Sequence, residues 1–224
     1  MIAKIVRLLS RIKWHDFRSV EPVSRVFGSD RGTPIDRHYI DHFLNLHKAS
    51  VKGRALEIAE SSYTKMYDSG ITAFEVLHYT ADNPNATIVG DLTKAGATLP
   101  ENRVDCFICT QTLNVIWDVQ NAIKGIHHIL DTNGTALVTV PCISQISRYD
   151  ADRWGDYWRF TPQSSHNLFA DVFGKENVEV QVYGNCLAAI GFLKGMAIED
   201  MTKAELDHQD PDYPLIIGIK AVKR

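Results

Sequence analysis

The densest group of chemically useful side chains in this 224-residue chain lies between Arg148 and Arg159. Arg148, Tyr149, Asp150, Asp152, Arg153, Trp154, Asp156, Tyr157, Trp158 and Arg159 place rings, carboxylates and guanidinium groups side by side. Flat rings beside carboxylates suit a carbohydrate, whose C–H faces stack while its hydroxyls hydrogen-bond. The same residues also suit a loop that holds itself together by Arg–Asp pairs and buried rings. Both roles are expected here, with Asp156–Phe160 mainly structural and Arg148–Asp152 nearer to substrate.

Around this cluster, strand-like and helix-like patterns alternate along the chain. Short apolar runs read as strands at Arg54–Ile58, Thr72–Leu77, Thr87–Val89, Val104–Cys109, Thr135–Val140, Val178–Val182 and Leu215–Ala221. Helical spacing appears at Val119–Leu130 and Ser164–Phe173, and less regularly from Cys186 to Met201. Asp131–Gly134 reads as a turn between the first of these helices and the next strand. Such alternation predicts a doubly wound, mostly parallel seven-stranded α/β sheet. Ligands of such sheets bind beyond the carboxyl ends of the strands, where strand order reverses. Polar residues recur there: Glu57–Tyr63, His78, Asp91-Leu92, Thr110-Gln111-Thr112, and the segment from Pro141 to Trp158.

Upstream, Thr33 and Pro34 read as the cap and first residue of a helix whose apolar face is Ile35, Tyr39, Ile40, Phe43 and Leu44. Residues 2–13 place Ile2, Ile5, Val6, Leu8, Leu9 and Ile12 at helical spacing between Lys4, Arg7 and Arg11. That is a basic amphipathic helix, suited to docking on its own domain or a second subunit, or to peripheral contact with anionic lipid. The expected division is a helical extension over residues 1–50 and an α/β domain over 51–224.

Composition narrows the classes. Hydrophobic residues make up 45% of the chain, enough for a full core, and the net charge of −3 excludes a generally basic nucleic-acid binder. No run of about 18 apolar residues predicts a membrane span, and no signal-peptide pattern is present. Cys106, Cys109, Cys142 and Cys186 form no disulfide framework, so a reducing cytoplasm is expected. Cys106 and Cys109 have half of a zinc-site spacing, but three residues apart on a strand they face opposite sides. No metal is expected.

The motifs Gly53-Arg54-Ala55-Leu56-Glu57-Ile58, Asp91-Leu92, Asp105–Leu113, Asn133–Val138 and Asp156-Tyr157-Trp158-Arg159-Phe160-Thr161-Pro162 together resemble the class I S-adenosylmethionine-dependent methyltransferases. The resemblance covers about residues 26–222 and is nearest to type 11-like enzymes of glycan and polysaccharide pathways. It implies a Rossmann-like methyltransferase fold with S-adenosyl-L-methionine as cofactor. Cofactor contacts would come from Glu57, Ile58, Ala59, Tyr63, His78, Asp91, Leu92, Thr110, Gln111 and Thr112. Glu57 would organise the amino-acid end of the cofactor, and Asp91 with the Leu92 amide would meet adenine. Tyr63 would either pack over the cofactor or staple helix to sheet. The chain departs from the family pattern at two places. No glycine occurs between Ala59 and Gly70, and the second strand ends in His78 rather than an acid, leaving Glu75 or His78 for the ribose hydroxyls.

The activity implied is O-methylation of a sugar or glycan-related small molecule. Arg148, Tyr149, Trp154, Tyr157 and Trp158 would line the acceptor pocket, with Asp152, Asp156 or His166 as the base that takes the hydroxyl proton. The alternative is a catalytically weak or inactive relative that partners a glycan-pathway enzyme, and a homodimer fits either reading. A nucleotide-dependent oxidoreductase needs Gly-x-Gly-x-x-Gly after the first strand, and Ala59–Thr64 does not supply it.

Overall fold

A computed structural model describes residues 17–224, so the amphipathic stretch 2–13 lies outside the described residues. Seven strands form one sheet: β1 (Gly53–Ile58), β2 (Ile71–His78), β3 (Ile88–Val89), β4 (Val104–Thr110), β5 (Leu130–Pro141), β6 (Val178–Tyr183) and β7 (Ile216–Val222). Their spatial order is β3-β2-β1-β4-β5-β7-β6. Strands β1 to β5 pair in parallel, while β7 runs antiparallel between β5 and β6. This is the mostly parallel, doubly wound sheet that the alternation predicts.

The central strands carry apolar residues toward both faces of the sheet, because both faces are covered. On one face, Leu56, Phe107, Cys109 and Val138 pack with helices α4 (Val119–Ile129) and α6 (Pro162–Phe173). On the other, Ala55, Cys106, Ile108 and Leu137 pack with α1 (Ile35–Leu46) and α7 (Cys186–Lys194). Cys106 and Cys109 thus face opposite layers and cannot share an ion. Burial pushes both thiols up to about 12, so they act as small hydrophobes. Among the described residues, four short helices complete the set: α2 (Ser62–Met66), α3 (Ala95–Thr98), α5 (Arg148–Ala151) and α8 (Lys203–Asp207). Among the described residues, no helix is long and apolar enough to cross a membrane.

Helix α1 buries the five residues of its expected apolar face in the sheet's core. Residues 35–46 are therefore a layer of the α/β core. The helix start differs by one residue from expectation. Pro34 is the cap, with ψ 143°, and it bridges Ala197. Glu199 draws Thr33 away from capping by accepting from its amide at 2.9 Å and its hydroxyl at 3.2 Å.

Three other boundaries also move. Residues 131–134 are not a turn between separate elements but a bulge inside β5. The pairing jumps from Val104–Leu130 to Cys106–Thr135, with Asn133 at φ 65°. The amide of Asn133 bonds the Lys223 carbonyl at 2.7 Å, which ties the bulge to the chain end. Helix α6 begins two residues early, because Thr161 and Ser164 form a reciprocal cap around Pro162. Helix α7 stops at Gly195 (φ 74°), where a side chain would collide with Ser24. A 3-10 turn at Ile198–Asp200 follows in place of continued helix.

Candidate functional site

Strand order reverses between β1 and β4, since β1 leads outward to β2 and β4 leads the other way to β5. The carboxyl ends of these two strands are the crevice where a doubly wound sheet takes ligands. The loop after β1 is drawn inward by Glu57. This buried carboxylate accepts from the amides of Tyr63 (3.2 Å) and Thr64 (2.9 Å) and from the Thr64 hydroxyl (3.0 Å). Burial raises its pKa, and those hydrogen bonds only partly offset the rise. Glu57 therefore anchors the start of α2.

Ile58 ends the strand, and Ala59 then turns with φ 64°, a left-handed conformation that usually favours glycine. Its amide bonds the Leu77 carbonyl (2.9 Å), and its carbonyl accepts from Asn83 Nδ2 (2.7 Å). Tyr63 takes the stapling role. Its ring is buried in the layer with α1, and its hydroxyl accepts from Arg37 Nη1 at 2.6 Å.

At the end of β2, His78 Nδ1 lies 2.9 Å from the Thr80 carbonyl and 3.5 Å from an Asp82 oxygen. Glu75 is not available to a ribose. Its carboxylate pairs with Arg54 (2.6 Å), near the start of β1, and Arg103 (3.0 Å), just before β4. Burial raises the Glu75 pKa, but the hydrogen bonds from Thr87 and the two arginines win and hold it low. Of the two ribose candidates, His78 alone stands at the strand end.

Past β3, Asp91 Oδ1 accepts from the amide (2.9 Å) and hydroxyl (2.7 Å) of Thr93. Its Oδ2 has Lys94 at 3.9 Å. Leu92 buries its side chain in the core. After β4, Gln111 turns with φ 48°, and its amide bonds the Thr139 carbonyl at 2.9 Å. Gln111 Nε2 reaches the Thr139 hydroxyl (3.2 Å), and the Thr112 hydroxyl donates to the Thr110 carbonyl (3.0 Å). These loops converge on the crevice through backbone tied strand to strand.

The segment after β5 crosses above β4 and β1, a span of three strand spacings or about 14 Å. At its far end the Trp154 ring stands edge-on to His78 (6.3 Å) and Tyr79 (6.0 Å), beyond β2. Its near end is fixed by Asp156, which accepts from Arg159 Nη1 (2.6 Å) and Nη2 (2.9 Å) and from the Ser147 amide (3.0 Å). Burial alone would raise the Asp156 carboxyl, but Arg159 and Ser147 hold it below the usual carboxylate value. A carboxylate so held is a weak proton acceptor, so Asp156 is the clamp of this roof.

Arg148, Tyr149 and Asp152 lie on the exposed side of α5 and its end, with Arg153 over the Tyr149 ring at 3.8 Å. Tyr157 and Trp158 bind through their amides to the Asn114 carbonyl (2.8 and 3.2 Å). His166 lies a turn into α6, a helix that packs on β6 and β7, with Asn167 at 3.5 Å.

Two residues escaped the sequence reading. Asn114 is buried just after β4, and its Oδ1 has no hydrogen-bond partner. Its only sequence signal is a lone amide inside the apolar run Leu113–Ile116. Trp117 stacks on Trp158 at 5.5 Å, although it lies outside the 148–159 cluster. Two surface cavities are present, the first beside Thr93 and Lys94, the partners of Asp91. One of about 510 Å³ is lined by Lys94, Asn121, Lys124 and His128, and one of about 360 Å³ by Val20, Ile190 and Leu193.

No protein-family model matches the chain, and no curated protein matches it. Solved structures do. A SAM-dependent methyltransferase from Archaeoglobus fulgidus superposes with a TM-score of 0.54 at 12% identity, over 84% of this chain and 94% of that one. A second, from Mesorhizobium loti, gives 0.52 at 14% identity over 84% and 98%. Phosphoethanolamine N-methyltransferase 2 of Haemonchus contortus, in complex with S-adenosyl-L-methionine, gives 0.53 at 13% over 82% and 52%. The chain therefore has the seven-stranded, Rossmann-like fold of the S-adenosylmethionine-dependent methyltransferases.

Proposed function

We propose that this chain binds S-adenosyl-L-methionine in the β1/β4 crevice and O-methylates a sugar or glycan-related small molecule. The observation that supports this most is the roof: a clamped, ring-bearing segment that runs from β5 across the crevice to His78 and Tyr79. Long segments over the ligand edge of a sheet are usually functional. The cofactor, when bound, supplies an electrophilic methyl group on a sulfonium.

The residues would divide the work as follows. Ile58, Ala59, Thr110, Gln111 and Thr112 offer backbone and hydroxyl groups at the crevice, and Glu57 positions them by holding α2. His78 would meet the ribose. Asp91 Oδ2 would accept from the adenine amino group, beside the Leu92 amide. Asn114 Oδ1 is a buried acceptor that a ligand hydroxyl or a water would satisfy. Arg148, Tyr149, Trp154, Tyr157 and Trp158 would wall the acceptor and exclude water. Asp152, exposed at the end of α5, is the preferred base over Asp156, whose oxygens are committed to Arg159.

The test is methyl transfer to a panel of nucleotide sugars and oligosaccharides. Asp152→Asn should lower turnover by about 10²–10⁴-fold with cofactor affinity unchanged. Full turnover in that variant removes Asp152 as the base.

The second reading is a methyltransferase-like binding protein that partners a glycan-pathway enzyme without catalysis. What favours it is the internal use of crevice groups: Glu57 bonds α2, Asp91 Oδ1 bonds Thr93, and Ala59 carries a Cβ where a glycine would leave space. A folded protein with neither cofactor binding nor turnover would favour this reading.

A further inference from the structure

Beside the roof stands an exposed ring that neither the core nor the clamp requires. Trp117 follows the 3-10 turn Leu113–Val115 after β4, and 69% of its surface is exposed. It lies nearly parallel to Trp158, with centroids 5.5 Å apart and planes 22° apart. Tyr157 stands across it at 5.5 Å and 67°. Both supports are fixed. Trp158 Nε1 donates to the Ile116 carbonyl at 3.0 Å while its ring packs against the core, and the Tyr157 amide donates to the Asn114 carbonyl at 2.8 Å. The indole is thus presented on a rigid footing, which lowers the ordering cost of binding.

Its surroundings distinguish among occupants. Large exposed hydrophobic side chains over residues 113–118 and 156–160 are Trp117 and Tyr157 alone. A lipid- or protein-docking patch would add exposed aliphatic residues around such rings. Instead exposed polar groups adjoin it: Asp118 follows directly and caps α4, and Tyr157 brings a phenol hydroxyl to the same face. A flat ring rimmed by hydrogen-bonding groups matches a pyranose, which has an apolar C–H face and a hydroxyl edge.

We propose that Trp117, supported by Trp158 and Tyr157, is a saccharide-stacking subsite that selects the acceptor next to the crevice. The subsite rests on the methyl-transfer reading only in calling its saccharide the acceptor. The indole holds the sugar face and contributes no proton transfer, so Trp117 is a specificity residue.

The test is a titration of isotope-labelled full-length protein with cellohexaose, maltohexaose and chitohexaose, without cofactor. The indole N–H signal of Trp117 is assigned by its loss in Trp117→Phe. At least one oligosaccharide should shift that signal saturably. Trp117→Ala should weaken binding by about tenfold or more, and Trp117→Phe by less, because a phenyl face remains. An unchanged melting temperature in Trp117→Ala shows that the fold is intact. The proposal is overturned if none of the three sugars shifts the signal, or if Trp117→Ala binds as the parent does. It is also overturned if the signal moves only with anionic vesicles or with protein concentration. Saccharide binding without methyl transfer would count against the proposed activity alone. Cofactor binding without saccharide binding would count against this subsite alone.

Discussion

Replacing Ala59 with glycine should stabilise the protein and tighten cofactor binding together. Ala59 sits at φ 64°, held by its amide bond to Leu77 and by the Asn83 side chain on its carbonyl. A Cβ in the left-handed region costs roughly 1–2 kcal/mol. Glycine removes that cost but gives back about 0.4–1 kcal/mol through the greater freedom of the unfolded chain. The net gain is about 0.5–1 kcal/mol. For a chain of this size that raises Tm by roughly 1–4 °C. The same change clears the Cβ from the first loop, where a backbone must approach the ligand closely. Affinity for S-adenosylhomocysteine should rise by about threefold to tenfold. Thermal melts and calorimetry on parent and Ala59→Gly check both effects. A lower Tm would refute the strain argument. A higher Tm with unchanged affinity would show that the Cβ lies outside the ligand's path.

Other outcomes follow from the carboxylates. Arg159→Met should destabilise by about 3 kcal/mol, because it leaves the Asp156 carboxylate, only 1% exposed, without its partner; urea unfolding measures this. The Asp156 carboxyl is held below 3.8 in the folded state. The clamp's contribution is therefore complete above the unfolded value near pH 3.8 and is lost as pH falls through the lower folded value. Tryptophan emission from the roof should report release only in that acid window, and release at pH 5 would contradict it. Asp91→Ala should weaken S-adenosylhomocysteine binding by about tenfold, the effect of one lost hydrogen bond to a bound ligand; unchanged calorimetric affinity would remove Asp91 from the adenine site.

The sheet was legible because continuous apolar runs such as Cys106–Cys109 have few alternatives once helices cover both faces. Helix α1 was legible in the 3.6-residue spacing of Ile35, Tyr39, Ile40, Phe43 and Leu44. Partners distant in sequence were not. Glu75 looked free until Arg54 of β1 and Arg103, just before β4, reached it, and Thr33 looked like a cap until Glu199 bonded it. Tyr63 allowed two roles because its partner, Arg37, lies on a different element. The 148–159 cluster was visible as composition. Its division into clamp (Asp156, Arg159), far contact (Trp154) and exposed face (Arg148, Tyr149, Asp152) depends on the path of the chain over the crevice. Asn114 carried almost no signal, because a single amide in an apolar run does not show whether its oxygen has a partner.

The central claim is that the β1/β4 crevice takes the cofactor, and calorimetric titration of the full chain with S-adenosylhomocysteine tests it most directly. One-to-one binding in the micromolar range or weaker is expected, together with a change in tryptophan emission as the roof around Trp154 responds. A cooperatively folded protein that shows neither heat nor emission change at millimolar ligand would contradict it.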